Sequence, residues 1–311
     1  MNRSAIPEVA ILLCTYNGQR YLSDQLDSVA AQTYPHWIMW ASDDGSQDNT
    51  LSILGEYRSK WSNGRLSIVH GAAKGFVANF LSLTCRTEIQ AAYYAFCDQD
   101  DVWEADKLQR AVDWLHRIPD DVPALYCSRT RLVDATNNSI GFSPLFDNPP
   151  AFANALTQNV GSGNTMVFNH AARLLLLEAG AGVDVVAHDW WLYMLVSGCG
   201  GQVFYDTYPS LRYRQHDANV VGVDLSLMGV WWQFRKLWSG HFRNGNGCHI
   251  RALRGLRARL TPESWETLNA FAHARDRWLI PRLVGLKQSG VYRQRLSGNV
   301  SLVAAAILKK I

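Results

Sequence analysis

The 311-residue sequence is 48% apolar and 18% charged, which excludes a disordered chain and allows one large α/β domain with an appendage, or two domains. Its net charge of +3 hides a division: residues 1–224 carry 15 Lys/Arg against 24 Asp/Glu, and residues 225–311 carry 15 against 3, so the two parts are expected to meet different partners. No run approaches the ~18 apolar residues of a spanning helix, Val9 to Cys14 is too short for a secretion signal, and six cysteines without a Cys-x-x-Cys pair point to reduced thiols in a cytoplasmic protein, free or lying on the inner face of the cytoplasmic membrane.

In chain order, Val9 to Cys14 predicts a strand, Thr15-Tyr16-Asn17-Gly18 a turn, and Leu22, Leu26, Val29 and Ala30 a helix face. The unit recurs with strands at Trp37 to Ala41, Leu66 to Val69 and Ala91 to Cys97, each followed by apolar residues at helical spacing. Four strand–helix units predict a doubly wound, mostly parallel α/β sheet with right-handed crossovers. From 124 to 220 the pattern loosens. Ala124 to Val133 and Thr165 to Asn169 read as strands, Ala171 to Leu177 and Trp190 to Val196 as helices, and Val203 to Asp206 and Leu211 to Tyr213 as short strands. Beyond Asp224 come Arg-rich helices, so one domain is expected over 1–224 and a basic, aromatic-rich helical extension over 225–311.

Ligands of such sheets bind beyond the carboxyl ends of the strands. The unusual residues fall there, in Thr15-Tyr16-Asn17, in Ser42-Asp43-Asp44-Gly45-Ser46 and in Asp98-Gln99-Asp100-Asp101. Mutual repulsion makes the last cluster costly without a cation, and alternate carboxylates on a loop can reach one Mg²⁺ or Mn²⁺. The plainer alternative is an acidic turn with Asp106 capping the next helix. In the second loop Asp48 or Asn49 can cap a helix, whereas Asp43 and Asp44, ahead of Gly45, can accept hydrogen bonds from a nucleobase imide or a ribose hydroxyl.

Val9 to Gly18, Ser42 to Ser46, Gly75-Phe76, Asn79-Phe80, Cys97 to Trp103, His188-Asp189-Trp190-Trp191 and Tyr213-Arg214-Gln215-His216 together resemble the family 2 glycosyltransferases. The resemblance is strongest to the bacterial branch containing rhamnosyltransferases of O-antigen and other surface polysaccharides. It implies a GT-A (Rossmann-like) fold and inverting transfer from a nucleoside-diphosphate sugar, a dTDP- or UDP-sugar, to a glycan or lipid-linked glycan. Thr15, Tyr16 and Asn17 would then line the nucleotide pocket with Asp44 on the base, and Gly75 and Asn79 would belong to the same site. Asp98 would contact the ribose and assist the metal, Asp100 would be the principal metal ligand, and Asp189 would be the catalytic base, with His188 standing where many members carry Glu. His216 is expected to approach the metal or the diphosphate, Arg214 to help neutralise that charge, and Trp190 or Trp191 to offer the acceptor a flat apolar face. Gly161-Ser162-Gly163 reads as a tight loop that lets a sugar approach the backbone.

Residues 228–243 interleave Trp231, Trp232, Phe234, Leu237, Trp238 and Phe242 with Arg235, Lys236 and Arg243, and the chain closes with apolar Leu302 to Leu308 before Lys309-Lys310. Interfacial helices have this composition, so 225–311 is expected to touch the inner membrane surface. Nucleic acid is not expected, given the acidic first part. A helical appendage packing its aromatics on the domain or another subunit is the alternative. Two rival activities are a nucleotidyltransferase, disfavoured because Thr15-Tyr16-Asn17-Gly18 is not a Gly-rich basic loop, and a catalytically silent membrane-bound scaffold, disfavoured by the presence of Asp98, Asp100 and Asp189.

Overall fold

The computed structural model describes residues 6–62, 64–215 and 241–311. Four parallel strands open the sheet: β1 (Val9–Thr15), β2 (Trp37–Asp43), β3 (Leu66–His70) and β4 (Tyr93–Cys97), in the order β3-β2-β1-β4. Helices α1 (Leu22–Ala30), α2 (Thr50–Lys60) and α3 (Phe76–Thr84) connect them. β1 is central and buried at all seven positions. Its pleat sends Val9, Ile11 and Leu13 into one core and Ala10, Leu12 and Cys14 into the other, as a sheet covered on both faces requires.

The second half is mixed. β8 (Val167–Asn169) runs antiparallel between β4 and β6 (Ala124–Val133), and β6 pairs in parallel with β9 (Gln202–Arg214). The two short strands expected over 203–213 are this one strand of thirteen residues. Pro209, which cannot donate to a ladder, sits where the β6 register shifts between Ser128 and Arg129, so the irregularity absorbs it. Unforeseen are β7 (Ser139–Phe142), a short partner of β6, and β5 (Val102–Trp103). β5 pairs with Arg212 and Leu211 of β9, which clamps the Asp98–Asp101 loop between two strands.

Helices α4 (Lys107–Leu115), α5 (Phe152–Ala155), α6 (His170–Ala179) and α7 (His188–Gly198) cover this half. Four more follow: α8 (His241–Gly255), α9 (Pro262–Asp276), α10 (Leu279–Gln288) and α11 (Leu296–Ile307). The start of α9 follows from sequence: Thr261 accepts the Ser264 amide and Pro262 occupies the first turn. Leu253, Leu268, Phe271, Leu302 and Ala306 join the core that holds Phe96 and Trp191, so these helices share one continuous hydrophobic core with the sheet. The boundary expected at 224/225, the aromatic residues 231–238 and His216 lie outside the described residues. Among the described residues no helix is long and apolar enough to cross a membrane.

Candidate active site

The strand ends and the segments 159–163 and 186–190 enclose a crevice of about 1680 Å³, larger than the ~300–1,000 Å³ of a single small-molecule site. Thr15, Tyr16, Asn17, Asp44, Gly75, Asn79, Asp98, Asp100, Asp189 and Trp190 all line it. Side chains 80 and more residues apart in sequence thus meet because four parallel strands end at one level.

Hydrogen bonds lace the loops on the strand side together. The Asn17 amide donates to Ser46 Oγ (2.8 Å), the Gln47 amide to Asn17 Oδ1 (2.9 Å) and the Gly18 amide to Thr50 Oγ1 (2.8 Å). Gln99, between the two crevice aspartates, clasps Tyr16: its Oε1 accepts the Tyr16 amide (2.8 Å) and its Nε2 donates to the Tyr16 carbonyl (3.0 Å). A Cβ on Gly18 would crowd that Gln99 amide group and push it aside, so glycine leaves room for the clasp.

The two aspartates of the second loop divide their work. Asp43 is buried and accepts the Thr15 hydroxyl (2.9 Å) and the Ser46 amide (2.9 Å), so it shapes the turn. Asp44 faces the crevice and accepts the amides of Ala73 (2.6 Å) and Gly75 (2.9 Å), both at positive φ. Each Asp44 oxygen keeps a lone pair for a ligand. Asn79 is buried and exchanges hydrogen bonds with Ser42, through Ser42 Oγ (2.6 Å) and the Ser42 carbonyl (3.0 Å). It is therefore a wall brace behind Asp44.

In the third loop, burial and then the Asp100 and Asp189 charges push the Asp98 carboxyl up to about 8. Asp101 points down, fully buried; it accepts the Asn164 amide group and the Arg214 backbone amide (3.2 Å), and burial raises it well above the usual carboxylate range. On the opposite wall, burial pushes Asp189 up to about 6, against hydrogen bonds from the Trp190 and Gly163 amides and from Asn159. The adjacent His188 ring stacks on Phe80 with centroids 3.9 Å apart and stands edge-on to Phe96 at 4.7 Å. Neither of its nitrogens has a partner, and burial lowers its pKa to about 3, so it is neutral.

Residues 10–175 match the family model described as Glycosyl transferase family 2. Over 223 residues the chain is 30% identical to the dTDP-rhamnosyl transferase RfbG of Shigella flexneri, spanning 69% of this chain and 75% of that protein. The chain belongs to glycosyl transferase family 2. This glycosyltransferase is also similar in structure to S. aureus TarS 1-349 in complex with UDP-GlcNAc, with a TM-score of 0.54 and 14% identity over 92% of this chain and 93% of that one. Mannosyltransferase PcManGT from Pyrobaculum calidifontis, in complex with GDP-Man and Mn2+, gives a TM-score of 0.53 and 17% identity over 99% and 86%. These likenesses show the GT-A fold. The enzyme transfers a sugar from a nucleotide-sugar donor, which sets aside the nucleotidyltransferase and the silent scaffold.

Three placements in the glycosyltransferase depart from sequence expectation. Arg214 is 2% exposed and does not line the crevice. Its guanidinium donates to the Asp100 carbonyl (3.0 Å), the Ala135 carbonyl (3.0 Å) and Asp24 Oδ2 (2.9 Å), so it braces the aspartate loop from behind rather than facing the crevice. The cations that do line the crevice among the described residues are Arg20 and Lys74. Trp191 is fully buried in the core, because the helical period turns it away from its neighbour; Trp190 remains on the wall, with its indole N–H on the Ala155 carbonyl (2.7 Å). Third, Asp106 makes no capping bond to α4 and instead accepts the Tyr208 hydroxyl (3.3 Å). Sequence reasoning missed Arg20, Lys74, Gln99, Asn159 and Asn164. Only Gln99, flanked by alternate aspartates, carried a signal.

Proposed function

We propose that the enzyme is an inverting, metal-dependent transferase that moves L-rhamnose from dTDP-L-rhamnose onto a growing surface polysaccharide, O-antigen or lipid-linked glycan. One observation carries the mechanism: the desolvated Asp189 carboxylate shares a crevice with Asp98 and Asp100. The 30% identity to a dTDP-rhamnosyl transferase supports the sugar.

In this reading the acceptor hydroxyl attacks the anomeric carbon on the face opposite the diphosphate. The new C–O bond forms as the old one breaks, the electron pair leaves on the diphosphate, and the hydroxyl proton passes to Asp189. A carboxylate with its pKa raised to about 6 is a stronger base than an exposed one and is still ionised at neutral pH. Asp98 and Asp100 would hold Mg²⁺ or Mn²⁺. Their fit is chemical: two hard oxygen donors, with Asp98 desolvated and repelled by the Asp100 charge, in want of a cation. Among the described residues no group of three or more acidic, His or Cys side chains gathers there, and such ions commonly complete their shell with phosphate oxygens and water. When bound, the ion supplies charge compensation for the leaving diphosphate. Thr15, Tyr16, Asn17 and Asp44 would receive the nucleoside, Gly75 and Asn79 would shape its wall, Arg20 and Lys74 would face the phosphates, and Trp190 would meet the acceptor. In this reading the chain divides at 224/225, as its charge asymmetry supports.

A thermal-shift and diphosphate-release screen of dTDP-L-rhamnose, UDP-GlcNAc and GDP-mannose, each with and without Mn²⁺, tests the reading. Stabilisation and turnover with dTDP-L-rhamnose, only with Mn²⁺, are expected. Preference for another donor overturns the sugar, metal-independent turnover overturns the cofactor, and a product of unchanged anomeric configuration overturns inversion.

A further inference from the structure

Helix α11 carries two apolar faces. Leu302, Ala305 and Ala306 are buried. Leu296, Val300, Val303 and Ile307 follow steps of four, three and four, which aligns them on one stripe, and they are 81%, 62%, 45% and 50% exposed. A helix at a protein surface ordinarily places polar residues on that face, so this stripe is built for something other than water.

Its charges say what. From Arg277 to Ile311 the chain has seven Lys/Arg and no Asp/Glu. Arg282 is buried and donates to the carbonyls of Arg277 and Ala306 (2.7 Å), tying α10 to α11. Arg277, Lys287, Arg295 and Lys309 are exposed, and Arg295 and Lys309 flank the ends of the stripe. Pairing two copies through this face would set acid-free surfaces against each other, where like charges repel. An anionic leaflet satisfies both features at once: its acyl boundary takes the stripe and its headgroups take the cations. At twelve residues the helix is about 18 Å long, too short to cross the ~30 Å hydrocarbon core, so it would lie along the surface.

We propose that the Leu296, Val300, Val303 and Ile307 face of α11, flanked by Arg295 and Lys309, docks on an anionic lipid bilayer. The proposal deepens the reading that the acceptor is lipid-linked and rests on it for its purpose, while its test is independent of transfer. α11 shares a core with α8, whose His249 accepts the Val186 amide (3.1 Å) and stands edge-on to Trp190 at 5.0 Å. The docking face and the acceptor wall of the crevice are thus joined through packed side chains.

The experiment is co-sedimentation of the full chain with vesicles of phosphatidylcholine alone or mixed with phosphatidylglycerol. Wild type is compared with a stripe variant (Leu296→Gln, Val300→Gln, Val303→Gln, Ile307→Gln, all good helix formers) and a charge variant (Arg295→Gln, Lys309→Gln). Wild type should pellet with the mixed vesicles only. The stripe variant should bind them at least about tenfold more weakly, and the charge variant roughly fivefold more weakly per cation removed at low salt; diphosphate release to a soluble acceptor should be unchanged in both. Three results would each overturn the proposal. Equal pelleting of wild type and stripe variant removes the face. A lipid-free dimer that the stripe variant dissolves assigns it to a second copy. A fall of several degrees in the Tm of the stripe variant means the chain itself covers it.

Discussion

The two walls of the crevice are built on opposite terms. On the strand side the first two loops are tied to their neighbours, Asn17 with Ser46 and Gln47, Gln99 with Tyr16, and Asp44 with the amides of Ala73 and Gly75. On the helix side His188 has both nitrogens unpaired and Asp189 is desolvated. A wall whose hydrogen bonds are complete is organised before a ligand arrives, which lowers the cost of ordering it on binding. A carboxylate held in place by hydrogen bonds yet desolvated, as Asp189 is, keeps a raised basicity for a reacting atom. Under the proposed function, the first wall would recognise the nucleotide and the second would carry the chemistry.

That assignment is open to direct attack, beginning where the effects are largest. Asp189→Asn should lower kcat by about 10³-fold, within the range for loss of a general base, while the donor dissociation constant measured by calorimetry stays within a factor of two or so. Wild-type kcat should climb as pH rises through about 6 and level off above it, because Asp189 accepts a proton only when ionised; the variant should lack this limb. A wild-type rate in the variant would remove the chemistry from the second wall. Asp100→Ala should cost several kcal/mol, on the order of 10³-fold in turnover, and abolish Mn²⁺-dependent binding of the nucleoside diphosphate; binding that persists with the same metal dependence would move the ion elsewhere.

Smaller effects sharpen the contrast. Lys74→Ala and Arg20→Ala should each raise the donor KM by about tenfold, the scale of one charge-assisted hydrogen bond, whereas Arg214→Lys should act through stability, read as a lower Tm. A direct diphosphate contact by Arg214 would reverse that pattern. Gly18→Ala should displace Gln99 from Tyr16 and raise the donor KM about fivefold, with kcat nearly unchanged, since roughly 1 kcal/mol is at stake per hydrogen bond. His188→Phe should do least: two unpaired buried nitrogens are lost from an aromatic stack, so Tm should hold or rise by about 2 °C. A tenfold fall in kcat at unchanged Tm would show that a ring nitrogen touches the reacting atoms and would break the simple division of the walls.

Much of this was legible in the chain alone. Short continuous apolar runs, each followed by apolar residues at helical spacing and repeating about every thirty residues, set the parallel strands β1 to β4, and once those strands run parallel their loops must converge at one edge, which gathers Thr15, Asp44, Asp98 and Asp100. Asp189 was reached through the family pattern and stands on the same crevice. What the one-dimensional pattern could not assign was direction. Asp43 and Asp44 are adjacent, yet the pleat sends one into the turn and the other into the crevice. Trp190 and Trp191 are adjacent, yet the helical rotation between them separates a wall from a core. Arg214 and the Asp98–Asp101 loop are more than a hundred residues apart, and only the antiparallel pairing of β5 with β9 puts the guanidinium behind the loop rather than in front of it. Residue type and spacing fix which chemistry a chain can bring to one place; the side on which each group lies is decided by strand pairing and helix rotation, because those set where a side chain can bury its apolar part and satisfy its polar one.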